Sequence, residues 1–572
     1  GAHPMARRFL LLAAILMPAL ARVALAGNPA AAPPGPVTFS EHLAPLLFRR
    51  CAPCHHPGAA GPFSLLSYQE ARKRADQLAD VTARRLMPPW LPEPGHGEFR
   101  DSRRLSDDEV ALFQRWVKGG AVEGPAERLP APPVFPAGWR LGPPDLIAEM
   151  PRAFLLDAEG PDVYRNFVVP LPLVSNRFVR AFEFQPGNAA IHHARVLLDT
   201  TGQAKAREAQ FSSVGFAGMS VPAKFPAGHL LTWAPGRQPF AEDERFSWPL
   251  ESGTDLVLQL HLQRTGKAEQ VRPRVGLYFT TRAPERVPFL LGLIAQVINI
   301  PAGATNYTVT RSFILPAPVE LLSVMPHAHY LGKEVELAIT RPGEKPESLL
   351  LINRWDFKWQ DQYRYARPVS LPAGTKVEAR ISYDNSDTNP RNPRHPPQLT
   401  RHGPQSTDEM GEVWLQVLPD SPAGLAALQQ AYRLYGAEET VAHFEDVLSR
   451  EPDQAVAHLE LGKALGVLNR KEAAYDHLLR AMELNPDLVE AYHYVGIALL
   501  EQRQWQGARE AFETALKLDP AFQRSHFGLG LVADGEGKAA EAERHFARAL
   551  ELNPADNGAR RQLEKLRAKP KP

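Results

Sequence analysis

A repeat of 34 residues occupies the last part of the chain, and few folds are compatible with this period. Small residues at a fixed helical period are typical of sites where paired helices touch, and proline is typical of the turns between pairs. The region 423–572 is therefore predicted to be an all-α stack of helical hairpins. The period is marked by Pro452, Pro486, Pro520 and Pro554, by Gly462, Gly496 and Gly530, and by Ala481, Ala515 and Ala549.

This period resembles the tetratricopeptide repeat. It predicts three full repeats after a degenerate one at 423–452, and a terminal capping helix at Ala555–Ala568. A solenoid of this kind offers a concave groove to a protein partner, or serves as a structural cap or dimerisation arm. The sequence favours neither role over the other.

Residues 1–26 have the pattern of an export signal. Two arginines precede an apolar run that begins at Phe9, and Ala24-Leu25-Ala26 is a small-residue cleavage site. The pattern predicts a signal peptide, with residues 1–4 a tag remnant or an upstream extension, and a periplasmic or secreted protein. A membrane anchor is the alternative, but the apolar part before Arg22 is shorter than the roughly 20 residues that a span needs.

The two cysteines of the chain belong to one motif, Cys51-Ala-Pro-Cys54-His55. C-x-x-C-H is the attachment signature of a c-type haem, in which both thiols anchor the porphyrin and His55 is the proximal iron ligand. Met87 is predicted as the distal ligand, because it lies in a proline-rich loop after a helical segment. A thioredoxin-type redox pair is the other interpretation, but no βαβ pattern surrounds the motif. The alternative distal ligands are His56 and His96.

The haem motif predicts an α-helical cytochrome c domain at 37–125. Its helices are expected at Phe39–Arg50, Gln69–Arg85 and Ser106–Gly119. The last of these has a serine N-cap, an acidic first turn and a glycine stop. A segment rich in proline, alanine and glycine, 126–144, is expected to be a linker.

From 145 to 420 the chain consists of short, alternating apolar runs broken by proline, glycine and asparagine. Alternation of period two predicts strands, and their spacing predicts antiparallel, jelly-roll-like β-sandwiches. The length of the region predicts two of them, at 145–285 and 286–420. The clearest runs are Phe167–Pro172, Phe178–Phe184, Ala194–Leu198, Asp255–Leu262, Val275–Thr280, Val335–Thr340, Lys376–Tyr383 and Val413–Leu418.

Residues that bind metals recur in these strands. His327 and His329 lie two apart before an alternating run, so a single strand would place both imidazoles on one face. His192 and His193 are adjacent, so they can share one metal only at a bulge or a strand end. Each residue alone is as consistent with core or polar surface as with a ligand. The further candidates are His261 in Leu-Gln-Leu-His-Leu and Met410 at the end of Ser-Thr-Asp-Glu-Met.

Taken in order, these clusters resemble the copper type II, ascorbate-dependent monooxygenases over residues 145–420. The resemblance implies insertion of one oxygen atom into a substrate C–H bond, with one electron from each of two coppers and with ascorbate or another external reductant. A soft thioether favours Cu(I), the state that meets O2. The implied sites are a three-histidine copper site of His192, His193 and His261, and an oxygen-binding, catalytic copper site of His327, His329 and Met410.

Three positions depart from that family. Met325 stands where the peptide-amidating members have an arginine that holds the substrate carboxylate, Trp414 replaces a tyrosine, and Tyr330 replaces a histidine. These changes argue against a C-terminal glycine peptide and for a small apolar or aromatic substrate. Gln259 keeps the glutamine of the LQxH pattern and is expected to orient a ligand or a bound water.

The sequence thus predicts an exported copper monooxygenase whose fused haem supplies electrons, since a tethered donor has a high effective concentration. Its expected partners are the substrate, O2, an electron donor to the haem and a protein on the repeats. The alternatives are a copper and haem electron-transfer or copper-binding protein without hydroxylase activity, and a repeat-based adaptor with redox-sensing domains. The net charge of +1, with basic residues spread along the chain, gives no signal for nucleic acid.

Overall fold

The chain folds into four consecutive units in a computed structural model that describes residues 35–59, 61–136, 138–218, 221–241, 243–554 and 556–568. The predicted export signal at 1–26 lies outside the described residues. None of the described helices is both long and apolar enough to cross a membrane. We name the units the helical unit (37–125), the first sandwich (146–280), the second sandwich (289–419) and the repeat region (422–568).

Short helices around one core form the helical unit. They are a π-helical turn at Phe39–Leu43, α1 (Ala44–Arg50), α2 (Tyr68–Arg72), α3 (Ala75–Ala83) and α4 (Asp107–Lys118), so the helix predicted at 69–85 is divided in two. Ser106 and Glu109 form a capping box at the start of α4, each side chain bonding the other residue's backbone N–H. Phe113 and Trp116 of α4 are fully buried in the core.

The second half of the predicted linker is bound to the first sandwich. The backbone N–H of Arg140 donates to the Glu183 carboxylate (2.9 Å), and the Tyr278 hydroxyl donates to the carbonyl of Gly142 (2.8 Å). The first half contains a 3₁₀ turn at Ala126–Arg128. Residues near 140 are therefore held in place between the helical unit and the first sandwich.

The first sandwich contains eleven strands and one short helix among the described residues. They are β1 (Leu146–Glu149), β2 (Phe154–Leu156), β3 (Val163–Pro170), β4 (Arg177–Gln185), β5 (Ile191–Asp199), α5 (Gln203–Glu208), β6 (Phe216–Ala217), β7 (Thr232–Trp233), a 3₁₀ turn at Glu244–Phe246, β8 (Trp248–Leu250), β9 (Asp255–Leu262), β10 (Glu269–Val271) and β11 (Arg274–Thr280). Two antiparallel sheets, β1-β11-β4-β8 and β6-β3-β9-β5-β7, enclose the core. Leu258 and Leu260 of β9 face that core, so Gln259 and His261 face outward.

The second sandwich has the same architecture. Its elements are β12 (Phe289–Ile294), β13 (Asn299–Ile300), β14 (Tyr307–Ile314), β15 (Val319–Ala328), β16 (Gly332–Thr340), β17 (Glu347–Ile352), a 3₁₀ turn at Phe357–Trp359, β18 (Tyr363–Leu371), β19 (Lys376–Tyr383), β20 (Thr400–Arg401) and β21 (Gly411–Pro419). The main sheets are β12-β21-β15-β18 and β14-β19-β16-β17. Val324 and Ala328 of β15 lie in the core, so Met325 and His327 face outward.

The outward faces of the two sandwiches meet. The Ser406 hydroxyl donates to the Asp162 carboxylate (2.8 Å), and the Gln416 amide donates to the carbonyl of Gly228 (2.9 Å). A Cβ at Gly228, where φ is +72°, would lie 2.1 Å from the carbonyl oxygen of Pro288, so only glycine fits there. The histidines that face outward from each sandwich are therefore enclosed between them.

The repeat region is a stack of helices, so the predicted β-rich middle and helical C-terminal region are both confirmed. Where the sequence predicts a degenerate repeat at 423–452, one continuous helix of 29 residues is present. The reason is that no proline or tight turn interrupts this segment, and one side of it packs on the second sandwich. The helices are α6 (Pro422–Arg450), α7 (Ala455–Val467), α8 (Lys471–Leu484), α9 (Val489–Glu501), α10 (Trp505–Leu518), α11 (Gln523–Gly535), α12 (Ala539–Leu552) and α13 (Asn557–Ala568).

Candidate metal centre

The first histidine group lies where β5 begins beside β9. The register between these strands shifts between Ile191 and His193, which is the bulge that two adjacent ligands require. The ring of His192 lies 5.0 Å from that of His261, and the ring of His193 lies 4.8 Å from it, both between centroids. The bulge therefore lets both neighbours face the same partner strand.

Three Nδ1 atoms converge in this group. The Nδ1 of His193 lies 3.1 Å from that of His261 and 3.3 Å from that of His192. The potential ligand atoms of the three residues all lie within 4.8 Å of one another, and no other group of three histidine, cysteine or acidic side chains in the described part of the chain meets that criterion. Three imidazole nitrogens at such separations can hold one transition-metal ion.

Asp162 determines which nitrogen of His261 carries the lone pair, and the Tyr164 hydroxyl lies 3.2 Å from that nitrogen, Nδ1. The Nε2 of His261 donates to the Asp162 carboxylate (2.8 Å), so in the neutral ring Nδ1 carries the lone pair. The Tyr164 ring stacks on the His261 ring at 4.2 Å and fixes its plane. A carboxylate that orients a metal-binding imidazole in this way is typical of metal sites.

Burial keeps two of these rings neutral. The pKa of His192 is lowered to about 3, chiefly by burial and next by His261. The pKa of His193 is lowered well below its ordinary value, again by burial first. The neutral rings of His192 and His193 have lone pairs available for a metal ion.

The second histidine group differs from its predicted form at one point. β15 ends at Ala328, so His329 lies beyond the strand in the turn that leads to β16, and strand alternation does not place it. The indole of Trp355 donates to the carbonyl of His329 (3.1 Å) and holds the turn. The rings of His327 and His329 are nevertheless 5.2 Å apart, so both lie at one site.

Hydrogen bonds at Nδ1 leave the Nε2 atoms of this second group free. The Nδ1 of His327 contacts the side-chain oxygen of Gln360, and the Nδ1 of His329 lies 3.1 Å from the carbonyl oxygen of Asp408. Each Nδ1 must donate to its oxygen, so each Nε2 carries the lone pair. The two groups therefore present different ring nitrogens, Nδ1 in the first and Nε2 in the second.

Glu409 joins the turn at His329 to the segment that ends in Met410. Its buried carboxylate accepts from the backbone N–H groups of His329 (2.9 Å), Leu331 (2.6 Å) and Met410 (3.2 Å). Burial raises the pKa of Glu409 to about 8, against the effect of these donors. Ala328 pairs with Gly411 across the sheet, and His329 and Met410 are the residues next to this pair in the chain.

The two groups approach each other closely. The ring centroids of His193 and His327 are 6.3 Å apart, although these residues come from different sandwiches. The buried Phe357 ring lies between the groups, 4.8 Å from the His192 ring and 5.3 Å from the His329 ring. The structure thus brings all five predicted histidine ligands to one enclosed region between the sandwiches.

An ion pair crosses the interface beside them. Arg195 of β5 lies 3.8 Å from Glu412 of β21, and the Trp414 indole donates to the same carboxylate (2.7 Å). Burial alone would raise the pKa of Glu412, but Arg195 and then His327 bring it below its ordinary value. The Glu412 carboxylate is therefore ionised and paired with Arg195 beside the second group.

The surroundings of Met325 are more polar than its side chain suggests. Its sulfur accepts a weak hydrogen bond from the Thr232 hydroxyl (3.6 Å), and Arg237 contacts that hydroxyl. The Gln259 amide donates to the side-chain oxygen of Asn166 (3.1 Å) on the neighbouring strand β3.

The haem motif follows α1 as a turn. The Cys51 and Cys54 thiols are free, and burial raises the pKa of Cys51 to about 12. The Nδ1 of His55 lies 3.1 Å from the carbonyl oxygen of Phe63, which leaves Nε2 for a metal, and burial lowers the pKa of His55. A Cβ at Gly61 would lie 2.6 Å from His55 Nδ1, so the loop closes tightly over the ring. These features suit a proximal iron ligand.

The predicted distal ligand, Met87, lines a cavity of about 10 Å³ in the helical unit together with Trp90 and Leu105. The Nε2 of His56 contacts Arg140 (3.2 Å), and His96 has a buried Nδ1 without a hydrogen-bond partner.

Sequence reasoning missed the residues that orient the ligands. Glu409 lies inside the motif that ends in Met410, so its acidic character next to a ligand was a usable signal. Asp162, Gln360 and Phe357 carry no local signal, because only strand pairing and the contact between sandwiches bring them to the histidines.

Comparison with known families supports two of the four units. Residues 294–423 match the model of the copper type II ascorbate-dependent monooxygenase, C-terminal domain, and residues 496–557 match the tetratricopeptide repeat. The first match contains His327, His329 and Met410. It confirms the predicted copper monooxygenase resemblance for the second sandwich, and the second match confirms the repeats. Comparison with curated proteins gives no match.

Several solved structures resemble about a fifth of this chain. They include the first repeat domain of Spaghetti (RPAP3) bound to an HSP90 peptide (20% identity, 20% of this chain and 90% of that chain, TM-score 0.19), the Arabidopsis OM64 repeat domain (23%, 20% and 93%, 0.19) and MamA 41-end from Desulfovibrio magneticus RS-1 (22%, 23% and 73%, 0.22). TM-scores this low carry no argument, so the repeat assignment rests on the family match and on the helix pairs.

Proposed function

We propose that this protein is an exported, copper-dependent monooxygenase that uses O2 to hydroxylate a C–H bond of a small apolar or aromatic substrate. The observation that carries the proposal is the enclosure of two histidine groups between facing sheets, with unprotonated ring nitrogens directed into each group. The family match over the second sandwich supports the same chemistry.

Two sets of residues would each bind one copper ion. Copper bound at both would supply the one-electron steps and the activation of O2. His192, His193 and His261 would hold one ion through Nδ1, with Asp162 orienting the last of them. The second ion would be held through the Nε2 atoms of His327 and His329 and the thioether of Met410.

The proposed substrate class is based on the side chains near the second site. Met325 offers no charge to a substrate carboxylate, and the nearby Arg237 is engaged by Thr232 and Gln362. A substrate without a carboxylate therefore suits the site better than a peptide terminus.

The helical unit is proposed to carry one haem c on Cys51 and Cys54, with His55 as proximal ligand and Met87 as distal ligand. The free thiols and the hydrogen bond at His55 Nδ1 support the first three assignments. Haem attachment and the predicted signal peptide would both be consistent with an exported protein, in the periplasm or outside the cell.

The repeat region is proposed to bind a protein partner in its concave groove. Tetratricopeptide arrays stack helix pairs into such surfaces, and the described region 455–552 contains three pairs. The sequence of the repeats does not indicate which kind of protein binds there.

Metal analysis with copper EPR on the haem-loaded protein tests the proposal. We expect two coppers per haem and O2 consumption with a reductant and a substrate from a panel of small apolar and aromatic compounds. Met410→Ala should abolish the oxygen reaction while the three-histidine site keeps its signal. Met482→Ala, in the repeat region, is the control and should behave as the parent protein does.

Other outcomes select the alternatives. Two coppers without O2 consumption on any substrate would indicate an electron-transfer or copper-binding protein. Zinc, or no metal, at both sites would favour the adaptor alternative, in which the repeats carry the function.

A further inference from the structure

The helical unit is docked on the second sandwich by backbone as well as side-chain contacts. Phe99 forms a bridge with Tyr365 of β18, and the N–H of Arg100 donates to the carbonyl of Arg364 (2.7 Å). The Trp90 ring lies edge-on to Tyr363, with centroids 5.2 Å apart. The loop after Met87 is therefore held on β18 in a fixed register.

Cys54 faces the same junction. It lines a cavity of about 670 Å³ together with Arg237 and Gln362. Burial raises the pKa of the Cys54 thiol, and the charges that act on the thiol are those of Arg103, Arg140 and Asp361. The cavity that Cys54 lines thus reaches Gln362, in the segment that immediately precedes β18.

That segment leads to the second histidine group. Arg103 of the helical unit donates to the carbonyl of Pro89 (3.1 Å) and to the carboxylate of Asp361 (3.0 Å). Gln360, the preceding residue, contacts the Nδ1 of His327 through its side-chain oxygen. An unbroken sequence of hydrogen bonds and one peptide link therefore joins the helical unit to a ligand of the second site.

A second route through the cavity leads to the first histidine group. Trp233 lines the same cavity and pairs with Ala194, the neighbour of His193. On this side the Gln238 amide donates to the Cys54 sulfur (3.9 Å), but the described residues show no hydrogen bond from Trp233 to a ligand. The route through Gln360 has a hydrogen bond at each end. The contacts thus favour the second site.

From these contacts we infer that Asp361 and Gln360 are the electron entry of the copper centre, joining the haem at Cys54 to His327. This inference rests on the proposed function for its two cofactors. The step transfers one electron from ferrous haem to Cu(II) at the second site, leaving ferric haem and Cu(I), and needs no proton. An external one-electron reductant restores the haem. Gln360 and Asp361 are positioning residues in this reaction.

Anaerobic rapid mixing tests the inference in the full-length protein loaded with haem and Cu(II). One equivalent of dithionite reduces the haem, haem absorbance then reports electron loss, and freeze-quench EPR reports which Cu(II) signal decays. In the parent protein the second-site signal should decay first. Gln360→Met and Asp361→Asn should each slow this decay by about tenfold or more, with both coppers still bound.

Three variants complete the design. Arg367→Gln alters an exposed ion pair with Glu98 near the docking face and should leave the rate unchanged. Trp233→Phe tests the other route and should also leave the rate unchanged. Arg103→Met should slow electron transfer, because it removes the contact to Asp361.

The inference is wrong if Gln360→Met and Asp361→Asn transfer electrons at the parent rate, or if Trp233→Phe is the slow variant. A failure of the proposed function would give a different experimental result from a failure of this inference. In that case haem and copper exchange electrons as described, but ascorbate-reduced protein hydroxylates no substrate. If the second site binds no copper, both the proposed function and this electron-transfer inference are wrong.

Discussion

At the scale of single residues, the proposed ligands are oriented by side chains that carry negative charge or accept hydrogen bonds. Asp162 and Gln360 each determine which nitrogen of a histidine faces the metal position. Glu409 does so indirectly, by fixing the turn that contains His329. The metal affinity of each site should therefore depend on residues that do not touch the metal.

Asp162→Asn should weaken Cu(II) binding at the three-histidine site by about 10–100-fold, because His261 loses the carboxylate that keeps its proton on Nε2. A competitive Cu(II) titration followed by EPR measures this change. Asp157→Asn removes a carboxylate from the same loop, where the side chain is 82% exposed, and should have no effect. Equal affinities in all three proteins would contradict the orienting role of Asp162.

Glu409→Gln should lower Cu(I) affinity at the second site by about tenfold and the free energy of unfolding by about 1–3 kcal/mol. The amide retains one acceptor oxygen, whereas the carboxylate serves three backbone N–H groups with two. Denaturant titration and a Cu(I) chelator competition measure the two effects. Glu334→Gln, on the solvent side of β16, is the matched control.

At the scale of elements, the repeat helices touch through glycines at the predicted period. A Cβ at Gly496 would lie 2.6 Å from the Phe512 ring, and one at Gly530 would lie 2.5 Å from the Phe546 ring. These contacts explain why the period contains glycine, since a methyl group would push the paired helices apart. Gly466 of α7 has open space around the same position.

Gly496→Ala should destabilise the repeat region by about 1–3 kcal/mol through overpacking against Phe512. Gly466→Ala should be neutral or stabilise it by up to about 1 kcal/mol, because alanine is the better helix former and meets no neighbour. Urea unfolding monitored by circular dichroism compares them. Equal effects of the two substitutions would show that the helix contact is not what selects glycine.

The repeat region should lose stability in acid through His493. Burial, and then Arg524, lower the pKa of this ring to about 3, whereas an unfolded histidine titrates near 6.5. Between these values only the unfolded chain takes up the proton. The contribution is therefore present above pH 6.5 and falls by about 1.4 kcal/mol for each pH unit below it.

Denaturant midpoints at pH 7 and pH 5 measure this linkage. His493→Leu should flatten the pH dependence, because leucine fills the apolar site without a titrating group. His395→Leu, at a half-exposed ring in the second sandwich, should not flatten it. An unchanged slope in His493→Leu would assign the acid sensitivity to other groups.

At the scale of the whole molecule, α6 fuses the repeat region to the second sandwich. The Tyr432 hydroxyl bonds both the N–H and the carbonyl of Gly292 (3.1 and 3.2 Å), and Arg311 pairs with Glu439 (2.7 Å). Two units that share such a helix should unfold together.

Tyr432→Ala should lower the unfolding temperatures of the second sandwich and the repeat region together, at a cost of about 2–3 kcal/mol. Its ring also packs against Phe289, with centroids 5.5 Å apart. Differential scanning calorimetry resolves the transitions. Leu434→Ala removes a partly exposed side chain of the same helix and should cost much less. A shift confined to the repeat region would show that the units unfold independently.

The sequence alone determined the features that depend on local periodicity and on residue chemistry. Period-two runs located the β-rich middle, and the 34-residue period located the helix pairs. The same residue types in order, from His192 to Met410, identified the copper family that residues 294–423 match. The two periodicities can be read from one chain because each repeats over a short stretch of sequence, and the copper set can be read because it depends on residue types in a fixed order.

Only the tertiary structure decided which of these residues meet. The contact between His193 and His327, the position of Phe357 and the hydrogen bond from Arg103 to Asp361 all join segments far apart in the chain. No local pattern encodes strand register or the docking of one unit on another. These depend on the packing of complete faces, where many weak contacts act together.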